Sequence, residues 1–175
     1  MKFVIVGASA SGINAARTLR QFNKECEIIL VSKDEYVYSR CILHHFLDGR
    51  REIEALDFTP DTFFDMYDIE WIKGVEVVGI EIKEKKINLD NGKSIEYDKL
   101  LLAAGASSFL PPIENLRTAN NVIGLRNLDD AIKIKEIATK VKNIAILGAG
   151  LVGVDALAGL LDYDVNLTLI EMGDR

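Results

Sequence analysis

The sequence predicts an α/β fold: a parallel sheet, an inserted β-meander, and then the start of a second unit of the first kind. Three observations carry that prediction. Residues 3–19 (FVIVGASASGINAARTL) return as residues 144–160 (IAILGAGLVGVDALAGL), 141 positions later and without a gap. Each copy reads as a short apolar strand, a glycine-rich turn, a helix and a second apolar strand, the βαβ pattern of a sheet covered on both faces. Between the copies, residues 74–102 alternate apolar and polar side chains and carry turn signals, which is the pattern of antiparallel strands.

Within the first copy, Phe3-Val4-Ile5-Val6 is the entering strand, Gly7 to Gly12 the turn, and Ile28-Ile29-Leu30-Val31 the second strand. Within the second, Ile144-Ala145-Ile146-Leu147 leads to Gly148-Ala149-Gly150-Leu151-Val152-Gly153, and Leu167-Thr168-Leu169-Ile170 follows after a two-residue shift. The glycine spacing has a physical reading. The first glycine makes the sharp exit from the strand, the second lets a pyrophosphate approach the backbone, and the third lets helix and strand pack closely. Phosphates then meet free N–H groups at a helix N-terminus. The second turn is complete, with Gly148, Gly150 and Gly153, and Glu171 closes its second strand. A carboxylate there pairs with both hydroxyls of an adenosine ribose and repels a 2′-phosphate, so NADH is expected over NADPH. The first turn departs from this pattern: Ser9 replaces the middle glycine, and Ser32 stands where the ribose acid is expected. Asp34 or Glu35 is placed to supply the missing carboxylate.

The 175 residues are 49% hydrophobic and 27% charged, which excludes a disordered chain. No apolar window approaches the ~18 residues of a membrane span. With 21 basic and 27 acidic residues mixed along the chain, the net charge of −6 argues against nucleic-acid and anionic-membrane partners. Cys26 and Cys41 make neither a disulfide framework nor a zinc site, and the N-terminal apolar run is too short for a signal peptide. A cytoplasmic protein is expected.

Between the repeats, Val75, Val77, Ile80, Ile82, Ile87 and Leu89, with Asn91-Gly92 as a two-residue turn, predict the meander. Leu100-Leu101-Leu102 predicts a buried strand closing on small residues, and Pro111-Pro112 ends regular structure. A helix is expected over residues 131–141, preceded by Asn127 to Asp130. Residues 1–110 are therefore expected to form one nucleotide-binding domain, 111–125 a linker, and 126–175 the first βαβ of a second. Tyr38-Ser39-Arg40-Cys41 is expected to open a helix of about two turns. A thiol at a helix start beside an arginine is favoured as thiolate, whereas most free cysteines simply pack as small hydrophobes. Cys26 reads as structural, and His44 and His45 as packing or solvent-facing residues.

The ordered set of first turn, meander, Tyr97-Asp98-Lys99-Leu100-Leu101-Leu102-Ala103-Ala104-Gly105-Ala106, and complete second turn resembles the FAD- and NAD-dependent pyridine nucleotide-disulfide oxidoreductases. The resemblance covers the whole chain and implies a Rossmann-like FAD/NAD(P)-binding fold. It implies an FAD-dependent oxidoreductase passing hydride from NADH to flavin and on to a small-molecule or protein acceptor. Gly7, Ser9, Ser11, Gly12, Ser32, Lys33 and Asp34 would hold the adenosine diphosphate of FAD. Ser39 and Arg40 would lie along its pyrophosphate, Val77 at its adenine, and Ala104 and Gly105 at the end of the following strand. Gly148, Gly150, Gly153 and Glu171 would hold NADH. Cys41-Ile42-Leu43 is similar to the single-cysteine branch of CoA-disulfide reductases and NADH oxidases or peroxidases, which usually has Pro-Tyr where this chain has His44-His45. In that branch Cys41 would be the catalytic cysteine. Tyr36 to Tyr38 and Ser39-Arg40 look instead like the rubredoxin-reductase and nitrite-reductase flavoprotein branch, which needs no cysteine there. A third reading is a non-catalytic nucleotide-binding or assembly module, favoured by Ser9, Ser32 and Ala104. Family members run to about twice this length, so the resemblance implies an N-terminal fragment of a homodimeric protein.

Overall fold

Apolar runs that repeat in sequence become the same element twice. The computed structural model describes residues 1–174 as two compact units, the first made of Met1–Tyr38 and Asp57–Ala106. In this unit β1 (Lys2–Val6) pairs in parallel with β2 (Glu27–Ser32) and with β7 (Lys99–Leu102), and β3 (Glu70–Lys73) lies parallel on the far side of β2. Val4, Ile5, Leu30 and Val31 on the two central strands are fully enclosed, because both sheet faces are covered. On one face Ile5, Ile28 and Leu30 pack with Ile13 and Ala16 of α1 (Ala10–Phe22) and with Phe63 of α3 (Phe63–Met66). On the other, Val4, Ile29 and Val31 pack with Ile87 and Leu89 of the meander, which comprises β4 (Val77–Glu81), β5 (Lys86–Leu89) and β6 (Ser94–Glu96).

The buried stripe of α1, Gly12, Ile13, Ala16 and Arg20, follows helical spacing, and its last member is charged. Arg20 is tolerated inside because its guanidinium donates to the carbonyls of Lys24, Cys26, Tyr67 and Asp68 and to the Asp68 carboxylate, at 2.6–3.2 Å. Cys26 is buried and its thiol donates to the Asn23 carbonyl, so it packs as expected of a structural cysteine.

Three expectations are corrected in this unit. The β5–β6 connection is wider than two residues: Leu89 N–H donates to the Lys93 carbonyl, Gly92 N–H donates to the Leu89 carbonyl, and Gly92 takes φ +80°. A three-residue loop with glycine in the left-handed position satisfies the same sequence signal. The meander's alternation also changes phase, through a register shift between Val77 and Gly79, leaving Ile80 and Ile82 exposed. The third correction is β7, expected to be buried. Among the described residues it pairs with β1 alone, and Leu101 and Leu102 are exposed.

The second unit comprises Ser39–Leu56 and the chain from Ser107 onward. Instead of a two-turn helix, a 3-10 turn (Arg40–Ile42) precedes the five-residue α2 (Leu43–Leu47), with Ile42 outside helical geometry at φ −120°, ψ 20°. Residues 103–127 carry no helix or strand. α4 (Leu128–Ala138) starts three residues earlier than expected, because Asn127 and Asp130 form a reciprocal capping box that fixes the first turn. β8 (Asn143–Leu147) and β9 (Asn166–Ile170) form a two-stranded parallel sheet, connected by α5 (Leu151–Leu160). Leu43, Phe46 and Leu47 of α2 are buried. Its orphan carbonyls are closed by two neighbours: Tyr163 Oη donates to Leu47 O at 2.7 Å, and Lys135 Nζ donates to Phe46 O at 3.1 Å. Among the described residues no helix is long and apolar enough to cross a membrane.

Candidate functional site

The two glycine turns share a backbone bond at their first glycine. Gly7 N–H donates to Val31 O and Gly148 N–H to Ile170 O, each at 2.8 Å, so each turn is tied to the end of its own second strand. Gly7 at φ +110° and Gly148 at φ +97° adopt a conformation that L side chains rarely reach, which is the sharp strand exit. A Cβ on Gly12 would lie 1.8 Å from Gly7 O, and one on Gly153 would lie 1.9 Å from Gly148 O. The third glycine of each turn therefore sets the distance between helix and turn. Around Gly150, in contrast, an added Cβ meets nothing within 4 Å. This cradle, tight below and open above, fits the pyrophosphate of a dinucleotide.

Neither helix start is closed by its own N-cap side chain. Ser9 caps α1 with extended backbone but makes no side-chain cap bond, and Gly150 caps α5 and has no side chain to offer. Ordinarily an N-cap hydroxyl satisfies an N2 or N3 amide. Ser11 is exposed on the same first turn of α1. The first turns of both helices thus lack a side-chain cap from the N-cap residue, the arrangement in which first-turn N–H groups can meet an anion.

At the end of β9, Glu171 accepts from Ala149 N–H of the turn at 2.7 Å and from the Met172 and Gly173 N–H groups at 2.8 and 2.9 Å. These backbone bonds, led by that of Ala149, hold the exposed carboxyl below its usual range, so it is an anion at neutral pH. The corresponding position in the first copy is different. Ser32 is 4% exposed, and its hydroxyl accepts from Trp71 Nε1 at 2.9 Å and donates to Asp34 O at 2.7 Å. Asp34 accepts from the Tyr38 hydroxyl at 3.3 Å, and the Glu35 carboxylate lies over Gly74. Lys33 is exposed beside them. The segment after β2 thus gathers two carboxylates and a lysine close to the first turn's strand.

The other sequence-predicted residues divide between the units. Val77 packs in the core against Ile87 and Leu89. Ala104 and the positive-φ Gly105 follow β7, and the preceding Ala103 carbonyl is 2.4 Å from where a Gly7 Cβ would stand. Ser39, Arg40 and Cys41 belong to the second unit, where Cys41 is exposed in the 3-10 turn. His44 and His45 are half-buried, 3.7 Å from Asp155 and 3.8 Å from Asp48 respectively. Burial works to raise the Asp48 carboxyl, but hydrogen bonds from Arg50, its charge and the His45 ring outweigh this and hold it low. Sequence reasoning missed Trp71 and the Ala149 amide. A single tryptophan on a four-residue strand was the available signal for the first, while a backbone donor leaves no signal at all.

Comparison with known proteins places these observations in a lineage. The family model described as pyridine nucleotide-disulphide oxidoreductase matches residues 1–175. The ferredoxin–NAD(+) reductase component of 3-phenylpropionate/cinnamic acid dioxygenase from Photorhabdus laumondii is 34% identical, over 99% of this chain and 44% of its own length. Coenzyme A disulfide reductase of Staphylococcus aureus is 32% identical, over 99% of this chain and 41% of its own. The crystal structure of reduced Bacillus anthracis CoADR-RHD shares 29% identity and a TM-score of 0.88, covering 99% of this chain and 33% of that one. The chain spans less than half the length of the curated relatives it matches.

Proposed function

The chain belongs to the pyridine nucleotide-disulphide oxidoreductase family, and we propose that it is the nucleotide-binding part of a flavoprotein moving electrons from NADH to a disulfide, peroxide or oxygen acceptor. FAD and NAD(H) are the cofactors of this family. The observation that carries the reading is the doubled cradle, in which Gly7 with Gly12, and Gly148 with Gly153, hold two strand–turn–helix units at the same close spacing. Two such cradles on one chain suit two dinucleotides.

When bound, FAD supplies the redox chemistry, accepting electrons from NADH and releasing them to the acceptor. The residues of this chain bind and orient. Gly7, Ser9, Ser11 and Gly12 would receive the FAD pyrophosphate, and Ser32, Lys33 and Asp34 would face its adenosine. Val77 would reach the adenine from the core, and Ala104 and Gly105 would approach from the end of β7. Gly148, Gly150 and Gly153 would receive the NADH pyrophosphate, and Glu171 would exchange its turn amides for ribose hydroxyls. Cys41 is our candidate for the acceptor side. As thiolate it displaces one thiol of a disulfide substrate and forms a mixed disulfide; two electrons originating on NADH then release the second thiol and regenerate the thiolate.

The similarity to a ferredoxin–NAD(+) reductase component supports a second reading, in which an external protein carrier takes the electrons and Cys41 takes no part. A homodimer in the cytoplasm is the expected setting of either. The deciding experiment is the absorbance of the purified full-length protein. A flavin band that bleaches anaerobically with NADH is expected. A protein purified without flavin, and unable to take it up, would instead be a nucleotide-binding or assembly module.

A further inference from the structure

The two repeats solve the end of their second strand in different ways. After β9, the Glu171 carboxylate binds the turn amide of Ala149 directly. At the end of β2, Ser32 offers a hydroxyl with a single proton, and that proton is donated to the Asp34 carbonyl. One of its lone pairs receives the Trp71 indole N–H at 2.9 Å. The Ser32 backbone is tied to the same region, its carbonyl accepting from Val75 N–H at 3.0 Å.

Trp71 is itself held rigidly. It sits on β3 opposite Leu30 in the parallel ladder, and its ring stacks on Phe64 with centroids 4.4 Å apart and planes 14° from parallel. The hydrogen-bond chain therefore runs from a fixed indole through a buried hydroxyl to the backbone of the segment after β2. That segment carries Lys33, Asp34 and Glu35, and Gly74 leaves room for the Glu35 side chain, since a Cβ there would lie 3.3 Å from Glu35 Oε1.

We propose that Trp71 is a positioning residue for nucleotide binding in the first unit: through Ser32 it fixes the residue 33–35 turn, which presents its polar groups to an adenosine ribose in place of a strand-end acid. This rests on the reading that the first unit holds FAD. A buried hydroxyl that lost its indole partner would be free to rotate, and the Asp34 carbonyl would lose its anchor.

The test uses the full-length protein, stripped of flavin, with Trp71→Phe, which keeps an aromatic ring beside Phe64 but removes the indole N–H together with part of the ring system, and with Ser32→Ala. Affinities for FAD, for ADP as competitor, and for NADH are measured by titration calorimetry. Trp71→Phe should weaken FAD and ADP by a common factor of about five, the scale of one hydrogen bond, and leave NADH unchanged. The double variant should bind FAD no more weakly than Ser32→Ala alone, because both changes break one chain of bonds. Amide exchange over residues 33–35 should quicken in each variant. Unchanged FAD affinity in Trp71→Phe overturns the proposal, as does an equal loss for NADH, which would mark Trp71 as a general packing residue. A wild-type protein that binds NADH but neither FAD nor ADP in the first unit refutes the FAD reading itself, and the proposal with it.

Discussion

Adding one carbon at Gly12 sets two opposing effects against each other. Glycine inside α1 carries an entropic penalty, and Gly12→Ala would recover about 1 kcal/mol of helix propensity. Against this, the new Cβ would stand 1.8 Å from Gly7 O, where contacts under 3.0 Å are essentially never seen, so α1 and the turn must separate by about 1.2 Å. The obstructing atom is backbone, so no rotamer change relieves it. Overpacking of this kind costs about 1–3 kcal/mol, and the upper end applies to a rigid partner. The steric term wins. We expect a net loss of about 2 kcal/mol and a fall in Tm of about 8–16 °C for a unit of this size. Because the same displacement moves the helix N-terminus off its phosphate position, the variant should purify with little flavin; Gly12→Val should purify with none. The control is Gly150→Ala, where an added Cβ meets nothing within 4 Å. It should leave Tm unchanged while weakening NADH, since the space it fills lies over the second turn. Calorimetric melting and flavin-to-protein absorbance ratios report both effects. A Gly12→Ala protein with wild-type Tm and wild-type flavin content would refute the close-packing argument.

Further outcomes follow from the same geometry. Wild-type protein should prefer NADH to NADPH by at least about tenfold in kcat/KM, a difference of about 1.4 kcal/mol, and Glu171→Gln should erase that preference. Because the Glu171 carboxyl is held below its ordinary value of 4.5, its clamp on Ala149 is present at and above that pH and is lost as pH falls through the lower folded value. Amide protection at Ala149, corrected for the intrinsic pH dependence of exchange, should therefore hold from neutral pH down to 4.5 and drop only below it. Arg20→Ala should destabilise the first unit by about 2–3 kcal/mol, seen in urea melts, because it removes the donor to four carbonyls, that of Cys26 buried. Cys41→Ser should abolish NADH-dependent disulfide or peroxide reduction while sparing artificial one-electron acceptors. If every acceptor reaction survives, electrons leave by an external carrier.

The sequence made the repeated units legible because their signals are local: an apolar run, a glycine spacing and a second run. β1, α1 and β2 reappear as β8, α5 and β9 with the same two-residue shift that the sequence alignment contains. The features that escaped it depend on distant partners. Ser32 and Trp71 are 39 residues apart, and Arg20 reaches residues 47 and 48 positions away. Nothing near Arg20 marks it as buried, since an arginine late in a helix ordinarily faces solvent. β7 reads as a central strand because its composition is that of one; only the sheet order shows it paired with β1 alone among the described residues. The α4 start differs for a smaller reason: Asn127-Leu128-Asp129-Asp130 reads as a lead-in to the helix, although its first and last residues are the capping pair of the helix itself.

The two-stranded sheet of β8 and β9 has a thermodynamic consequence for anything that binds its turn. Within the described residues Leu151, Val152 and Val154 on α5 are exposed, and of that helix only Gly159 and Leu160 are buried, so little apolar area inside this chain holds the βαβ together. Taken by itself, a pair of strands with so small a core opens at lower free energy than a four-stranded sheet covered on both faces. A dinucleotide on the Gly148 turn would thus do part of the work of folding its own site. At one hundred times its dissociation constant it would add about 2.7 kcal/mol to the closed form, comparable to the whole burial of one large side chain. Occupancy of the second cradle and order in the second unit would then rise and fall together, so slow amide exchange there becomes a direct gauge of nucleotide.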